Sequence, residues 1–180
     1  MKTMNKIFIL ILSVIVTGSF AFSLDICPDK MQAVLVLKII PFIKNYSNLT
    51  PTSEISIGIF GEHEIKQHFD AASKKVPFKV TLVTISNPDA SLDKLQILCI
   101  PTGTPPAAIK KLNERAKKDK VLTVCSDPNL LTDYNLTLSF YVLNENPKIM
   151  INMKSAKAEE VTFSSKILGL ADIKNIDNQP

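Results

Sequence analysis

The hydrophobic pattern begins with a segment that stands apart from the rest of the chain. Two lysines within the first six residues precede a largely apolar run, Ile7–Val16, and the segment 17–23 that follows has small residues at a spacing suited to cleavage. This order is typical of a secretory signal peptide, with cleavage after position 21 or 23. The run is shorter than the about 20 apolar residues of a membrane span, which disfavours an uncleaved anchor. A lipoprotein is also disfavoured, because Asp25 and Ile26 replace the small residues that should precede Cys27.

The next apolar segment predicts a helix from Asp29 to about Tyr46. Its residues 33–40 are apolar almost all round, which leaves no clean polar face. A helix with this pattern is usually buried or packed against a partner. Pro41 should kink it, because proline lacks the backbone N–H that an interior helical position donates.

Short apolar strands then alternate with amphipathic helices. The spacing of apolar residues predicts four strands, at 55–60, 78–85, 95–100 and 121–125. Helices are predicted at 62–74 and 104–118, the second with Thr104 as its cap and proline at its start. Alternation on either side of residues 144–147 predicts an antiparallel hairpin of 137–143 and 148–153. One or two helical turns at 154–160 and a last packed element at 166–171 complete the pattern.

Alternating strands and helices predict an α/β fold in layers, with helices on both faces of one sheet. The four early strands should form a mostly parallel sheet, and the C-terminal hairpin adds antiparallel pairing that makes the sheet mixed. The length of the chain suits one domain. We therefore predict a signal peptide at 1–23, a single α/β domain at 24–173 and a polar tail at 174–180.

Charge and motifs narrow the function classes. The formal net charge is only +4, and no basic patch is interleaved with aromatic residues, so nucleic-acid binding is not indicated. The two histidines, His63 and His68, are five residues apart, whereas a helical zinc pair lies four apart on one face. No serine or cysteine has an evident base partner. The sequence therefore predicts a protein that is not an enzyme, with no catalytic residues, no metal and no cofactor.

Three cysteines, Cys27, Cys99 and Cys125, follow the signal peptide. If strands 95–100 and 121–125 are parallel neighbours, Cys99 and Cys125 lie near one level, within reach of a disulfide. The alternative is two buried thiols in the core. Cys27 is the odd thiol in either case, free or paired between chains.

Several segments, taken in order, resemble the YfiR/HmsC-type family of bacterial periplasmic proteins over residues 30–173. The resemblance lies in an apolar helix, a strand with a small-residue turn, two strands that carry the later cysteines, and a leucine-rich end. In this sequence these are Met31–Ile43, Ile57–Gly61, Leu95–Ile100, Val121–Asp127, Ile149–Met153 with Ala156, and Phe163–Ala171.

The resemblance implies a regulator without catalytic activity. Proteins of this type bind the periplasmic domain of an inner-membrane diguanylate cyclase and hold it inactive, which limits cyclic-di-GMP and biofilm formation. Family members can dimerise and can respond to redox state. For this chain the resemblance therefore implies a periplasmic location, that partner, a homodimer as a further option, and no membrane insertion once the signal peptide is removed.

Binding of such a partner should use exposed apolar side chains near the first helix and near the C-terminal end. The expected partner surface consists of Leu35, Phe42, Phe163, Ile167 and Leu168. The alternative is that these residues belong to the core.

A second function remains open, the binding of a small ligand. In open α/β sheets, ligands bind beyond the carboxyl ends of the strands. The loops at those ends carry Gly61, Thr102, Gly103, Ser126 and Asp127. The two functions are compatible if a ligand controls the partner contact.

Overall fold

The computed structural model describes residues 25–46 and 48–176 of the 180-residue chain. The predicted signal peptide lies outside the described residues. The described strands are β1 (Asp25–Ile26), β2 (Glu54–Phe60), β3 (Lys79–Ile85), β4 (Ile97–Ile100), β5 (Leu122–Cys125), β6 (Leu138–Leu143), β7 (Asn146–Asn152) and β8 (Ala171–Lys174). The described helices are α1 (Asp29–Ile39), α2 (Ile65–Ser73), α3 (Pro106–Asp119), α4 (Pro128–Tyr134), α5 (Met153–Ala158) and α6 (Ser165–Leu168).

The strands form one mixed sheet in the order β3-β2-β4-β5-β6-β7-β8, with β1 beside β6. The five strands from β3 to β6 pair in parallel. The β6–β7 hairpin is antiparallel, and β8 then pairs in parallel with β7. The prediction of a mostly parallel sheet with an antiparallel C-terminal hairpin is therefore confirmed. The hairpin is not the edge of the sheet, because β8 lies outside it.

Helices cover both faces of the sheet, as predicted. On one face, here called the front face, α1 and α2 bury Val36, Ile65 and Phe69 against the strands. On the opposite, back face, α3 and α4 bury Leu112 and Leu131. The central strands β4 and β5 are buried at every position, because both faces of the parallel sheet are covered there.

The first helix ends earlier than predicted. α1 stops at Ile39, and the chain continues through two 3₁₀ turns, Ile40–Phe42 and Lys44–Tyr46. Pro41 explains this end, since it has no N–H for the helical ladder. Between the two turns the chain extends at Ile43, which forms an antiparallel bridge with Phe163. The proline thus brings the end of α1 beside the C-terminal part of the domain.

Three elements are missing from the sequence-based prediction, namely β1, α4 and β8. Asp127, expected in a loop, caps α4 by accepting a hydrogen bond from the Asn129 N–H at 2.8 Å. Strand β8 extends into the predicted polar tail, where its residues pair with β7. The predicted cap of α3 is also wrong, because Pro105 is the cap residue and the Thr104 hydroxyl donates to the Pro101 carbonyl instead.

Candidate functional site

An open groove with a volume of about 620 Å³ lies on the front face, beside the carboxyl end of β7. We call it the lysine groove. It is lined by residues of four segments of the chain, which are Lys44, Met153, Lys154, Lys157, Val161, Thr162, Phe163, Leu168 and Asn175. Its volume lies within the range of about 300–1,000 Å³ that is usual for binding sites.

Backbone pairing between two distant segments builds one wall of this groove. The Lys44 N–H donates to the Thr162 carbonyl at 2.7 Å, and the Ser164 N–H donates to the Phe42 carbonyl at 2.8 Å. The Asn45 side chain accepts a third hydrogen bond from the Thr162 N–H at 3.1 Å. These bonds fix Phe163, which is 3 % exposed, as part of the floor.

The lysine groove combines an apolar floor with a positively charged rim. Lys44, Lys154 and Lys157 are exposed, and none of the described lining residues is an acid. Phe163 and Val161 are buried, so they close the bottom of the groove. The groove thus has lysine side chains at its rim above apolar residues that are almost fully buried.

Two large apolar side chains near the C-terminal end of the domain are exposed. Leu170 is 69 % exposed and Ile173 on β8 is 39 % exposed. Ile173 pairs with Ile151, whose side chain lies in the front-face core, so Ile173 points to the same face as the groove. Both residues lie at the end of the predicted domain, before the predicted polar tail. Their exposure could not be anticipated without knowing that β8 is an edge strand.

A second groove lies along α1 and has a volume of about 460 Å³. It is lined mainly by apolar residues, with a lysine at two positions: Pro28, Lys30, Met31, Val34, Leu35, Lys38 and Pro147. The helix forms it because its apolar pattern runs almost all round. Val36 and Leu37 enter the core, while Leu35 stays half-buried on the outer side.

The structure divides the expected partner surface among different environments. Leu35 lines the groove along α1, and Leu168 lines the lysine groove. Phe163 and Ile167 are only 3 % and 6 % exposed and belong to the core, so the alternative holds for these two residues, although Phe163 forms part of the groove floor. Phe42 is half-buried, with the Lys166 ammonium 5.2 Å from the centre of its ring.

A buried carboxylate lies directly behind the lysine groove. Glu159, which follows α5, is 1 % exposed. Its carboxylate accepts hydrogen bonds from the Thr123 N–H at 3.1 Å and from the Thr123 hydroxyl at 2.7 Å. The same hydroxyl accepts the Thr137 N–H at 2.9 Å. Glu159 therefore joins the amino ends of β5 and β6 to the segment that carries Val161 and the groove floor.

Burial raises the pKa of Glu159 from 4.5 to about 7, because the charged form loses its hydration. Hydrogen bonds from Thr137 and Thr123 and the positive charge of Lys117 act in the opposite direction and keep the shift from being larger. The pKa of Tyr46 rises to about 12 through its own burial, with the nearby Glu159 charge as a second cause. Sequence analysis did not single out Glu159, since an acid beside Glu160 suggests a solvated face.

All three cysteines are buried free thiols, so the structure has the second alternative for Cys99 and Cys125, two thiols in the core, and not the disulfide. The register explains why. Cys99 pairs with Val124, and Cys125 pairs with Ile100, one position further along β4. Successive side chains of a strand point to opposite faces. Cys99 therefore lies in the front-face core and Cys125 in the back-face core, although their backbones are close.

Burial also raises the pKa values of the thiols. The pKa of Cys27 rises to about 11 and that of Cys125 to about 12, and burial moves the pKa of Cys99 in the same direction. Thiolates are the reactive form. The expectation of an intermolecular bridge through Cys27 meets the same obstacle, because its side chain is fully buried.

The expected ligand loops do not line either of the grooves described above. Gly61 and Gly103 have positive φ values of 75° and 82°, which a tight turn after a strand requires. Ser126 is buried, and its carbonyl accepts the Cys27 N–H at 3.0 Å. Asp127 caps α4, while Thr102 is half-buried. The polar groups of the loop after β5 thus form hydrogen bonds within the domain.

His63 lies at the start of α2, whereas His68 lies within that helix. The His63 Nδ1 atom accepts the Ile65 N–H at 3.3 Å and lies 3.5 Å from a carboxylate oxygen of Asp29. Within residues 25–46 and 48–176, no group of three potential metal ligands is assembled. In the same ranges, no helix is long and apolar enough to cross a bilayer.

The fold and its two grooves define an α/β domain that presents open binding surfaces on one face. The chain belongs to the YfiR/HmsC-like family, whose model matches residues 29–172. This match confirms the resemblance found in the sequence. The family is one of periplasmic regulators of cyclic-di-GMP signalling. No curated protein matches the chain.

Solved structures share the fold at low sequence identity. The ABC domain from Streptococcus pneumonia, solved in complex with L-Trp, is 13% identical with a TM-score of 0.57. That match covers 79% of this chain and 60% of the streptococcal one, so this chain spans less than two thirds of that protein. A ureidoglycine-glyoxylate aminotransferase from Bacillus subtilis is 10% identical over 87% of this chain and 45% of its own, with a TM-score of 0.43. The similarity to the streptococcal domain shows only a shared fold, and the similarity to the aminotransferase is too low to support a conclusion.

Proposed function

We propose that this protein is an exported regulator that binds the periplasmic domain of an inner-membrane diguanylate cyclase and holds the cyclase inactive. When this contact is lost, cyclic-di-GMP rises in the cytoplasm and biofilm formation increases. The observation that carries the proposal is the family match over residues 29–172, which spans nearly all of the described domain.

The surfaces of the domain support a binding role. Two grooves have apolar residues in their linings, and two large apolar side chains, Leu170 and Ile173, are exposed near the C-terminal end of the domain. Exposed apolar surface that is rimmed by polar residues is typical of protein interaction sites. The amino-terminal sequence supports the location, since it has the order of a secretory signal peptide.

Binding can be measured with purified components. The mature protein, residues 24–180, is immobilised, and the periplasmic domain of each membrane diguanylate cyclase of the host is passed over it. We expect one of these domains to bind with a Kd in the micromolar range or tighter. The periplasmic domain of a host sensor kinase is the control for non-specific adhesion.

Two results would contradict the proposal. One is that none of the cyclase domains binds above the level of the sensor-kinase control. The other is that a cyclase domain binds, yet full-length cyclase in membranes makes cyclic-di-GMP at the same rate with and without the protein.

A further inference from the structure

We propose that Glu159 is a proton-controlled latch for residues 159–164, the segment that contains the floor of the lysine groove. We call residues 159–164 the latch segment. In its neutral form, the Glu159 side chain holds this segment against the sheet. When the side chain loses its proton, the segment opens and the floor of the groove leaves its place. The device involves no partner protein, so it is independent of the proposed cyclase contact.

The attachment of Glu159 to the sheet is the first observation. A glutamate is seldom fully buried, yet this one is 1 % exposed. Both of its carboxylate oxygens accept hydrogen bonds from Thr123, one from the backbone N–H and one from the hydroxyl. Thr123 lies in β5, which is buried at every position and pairs with a strand on each side. The carboxylate therefore ties the latch segment to a part of the domain that resists local opening.

The remaining polar contacts of the latch segment lie nearer the surface. The exposed side chain of Asn45 donates to the Glu160 carbonyl at 3.1 Å and accepts the Thr162 N–H at 3.1 Å. Glu160 has a positive φ of 55°, which is uncommon for a residue with a side chain. The flanking helices α5 and α6 have only six and four residues. Few hydrogen bonds must therefore break when this segment moves.

The charges around Glu159 do not fully compensate an ionised carboxylate. Lys117 on α3 favours the ionised form, but burial lowers the pKa of Lys117 itself and its charge also acts on Glu114. Tyr46 faces Glu159 from the second 3₁₀ turn and stays neutral, because its pKa is about 12. The neighbouring strands β5 and β6 contribute uncharged threonines. Within residues 25–46 and 48–176, Glu159 forms no ion pair.

These contacts determine which element moves when the proton is lost. A buried carboxylate without a paired cation is stabilised by hydration, and water reaches Glu159 only if the segment opens. Thr123 cannot follow, because β5 is held between two strands. The pKa of Glu159 is about 7 in the closed domain, whereas a hydrated glutamate has its ordinary value of 4.5. Opening therefore becomes easier as the pH rises between these two values, and no further above about pH 7.

Amide hydrogen exchange, followed by NMR at pH 5 and pH 8, measures the opening directly. The exchange rate is divided by the rate of the unprotected chain at the same pH, which gives the equilibrium constant for opening. The amides of Val161 and Ser164 report on the latch segment, because they donate to the Ala156 and Phe42 carbonyls, each at 2.8 Å. The amides of β4 report on unfolding of the whole domain.

We expect the opening constants of the Val161 and Ser164 amides to be at least tenfold larger at pH 8 than at pH 5, because the open segment binds fewer protons. In Glu159→Gln the two values should agree within twofold, since glutamine does not titrate. Glu160→Gln is the matched control and should keep the wild-type rise, because the Glu160 side chain is 67 % exposed and paired with Lys120. The β4 amides should stay more protected than the latch segment at both pH values.

Three results would overturn the latch. The wild-type opening constants agree within twofold at pH 5 and pH 8, or Glu159→Gln shows the same rise as the wild type. The third is equal protection of the latch segment and β4 at both pH values, because the domain then opens only as a whole. The wild-type measurement decides the first and third results even if Glu159→Gln fails to fold. Absence of cyclase binding would refute the proposed function and leave these results unchanged.

Discussion

The buried carboxylate of Glu159 makes a quantitative prediction for the variant Glu159→Gln. Glutamine has nearly the same shape as the protonated acid, so the variant keeps the neutral form of this side chain at every pH. The wild-type residue is neutral only below its raised pKa of about 7. The variant therefore isolates the free energy of burying the charge behind the lysine groove.

The sign of the effect follows from the two pKa values. The pKa of Glu159 is about 7 in the folded domain, above its ordinary value of 4.5. Between these two values the folded state holds a proton that the unfolded chain releases, so the free energy of unfolding falls as pH rises. Below about pH 4.5 Glu159 is neutral in both states and no stability is lost. Above about pH 7 the full loss of stability from burying the charged carboxylate is present. At about 1.36 kcal/mol for each pKa unit, the total loss is about 3 kcal/mol.

The measurement is the free energy of unfolding in urea, followed by circular dichroism at pH 5, 6.5 and 8. We expect the gain in stability of Glu159→Gln over the wild type to be about 2–3 kcal/mol larger at pH 8 than at pH 5. Other titrating groups are the same in both proteins, so their contributions cancel in the difference.

The neighbouring variant Glu160→Gln is the matched control. The Glu160 side chain is 67 % exposed, and its carboxylate lies 2.9 Å from the Lys120 ammonium. A surface ion pair of this kind contributes about 0–1 kcal/mol, so the control should show little change with pH. The reasoning is refuted if the stability difference for Glu159→Gln is the same at all three pH values, or if Glu160→Gln shows an equal rise.

Two further predictions concern packing and thiol chemistry. Gly58→Ala should destabilise the domain by about 1–3 kcal/mol in urea unfolding, because the added methyl group meets the Leu95 side chain and the Ile85 Cγ1 atom. The control is Gly169→Ala, where the nearest atom to the added methyl group is 3.5 Å away, and it should change stability by less than about 0.5 kcal/mol. Equal losses of stability in the two variants would contradict this packing. At pH 7.5 the native domain should react with a thiol reagent at least tenfold more slowly than the protein in urea, since all three cysteines are buried and protonated. The melting temperature of the domain should be unchanged by dithiothreitol. A melting temperature lowered by the reductant would show that a disulfide exists.

The alternation of apolar and polar segments was sufficient to predict the class of the fold. Strands β2 and β3 lie within one residue of the predicted bounds, since their apolar residues repeat with the period of a strand. Short elements were missed where a pairing partner, rather than local pattern, makes them. Strand β8 lies at the predicted end of the domain and has no strand pattern of its own, yet its backbone pairs with β7. Helix α4 did carry a local signal, the Asp127–Pro128 pair at its start, which was interpreted only as a strand end.

The candidate site could be predicted less well from the sequence than the fold, because it depends on strand register and on segments that are far apart in the chain. Cys99 and Cys125 do lie on neighbouring parallel strands as expected, but a one-residue difference in register places them on opposite faces. Phe163 and Leu168 were selected for their apolar character, whereas the lysines that give the groove its charge were not. Lys44 and Lys157 are far apart in the chain, and the hydrogen bonds between residues 42–45 and 160–164 bring their segments together.

The central claim is that the exported protein represses a diguanylate cyclase from the periplasm, and intracellular cyclic-di-GMP tests it most directly. The gene is deleted, and the strain is complemented either with the full chain or with a version that lacks residues 1–23 and stays in the cytoplasm. The account predicts that cyclic-di-GMP rises on deletion and returns to the wild-type level only with the exported form. An unchanged level on deletion, or full repression by the unexported form, would contradict the account.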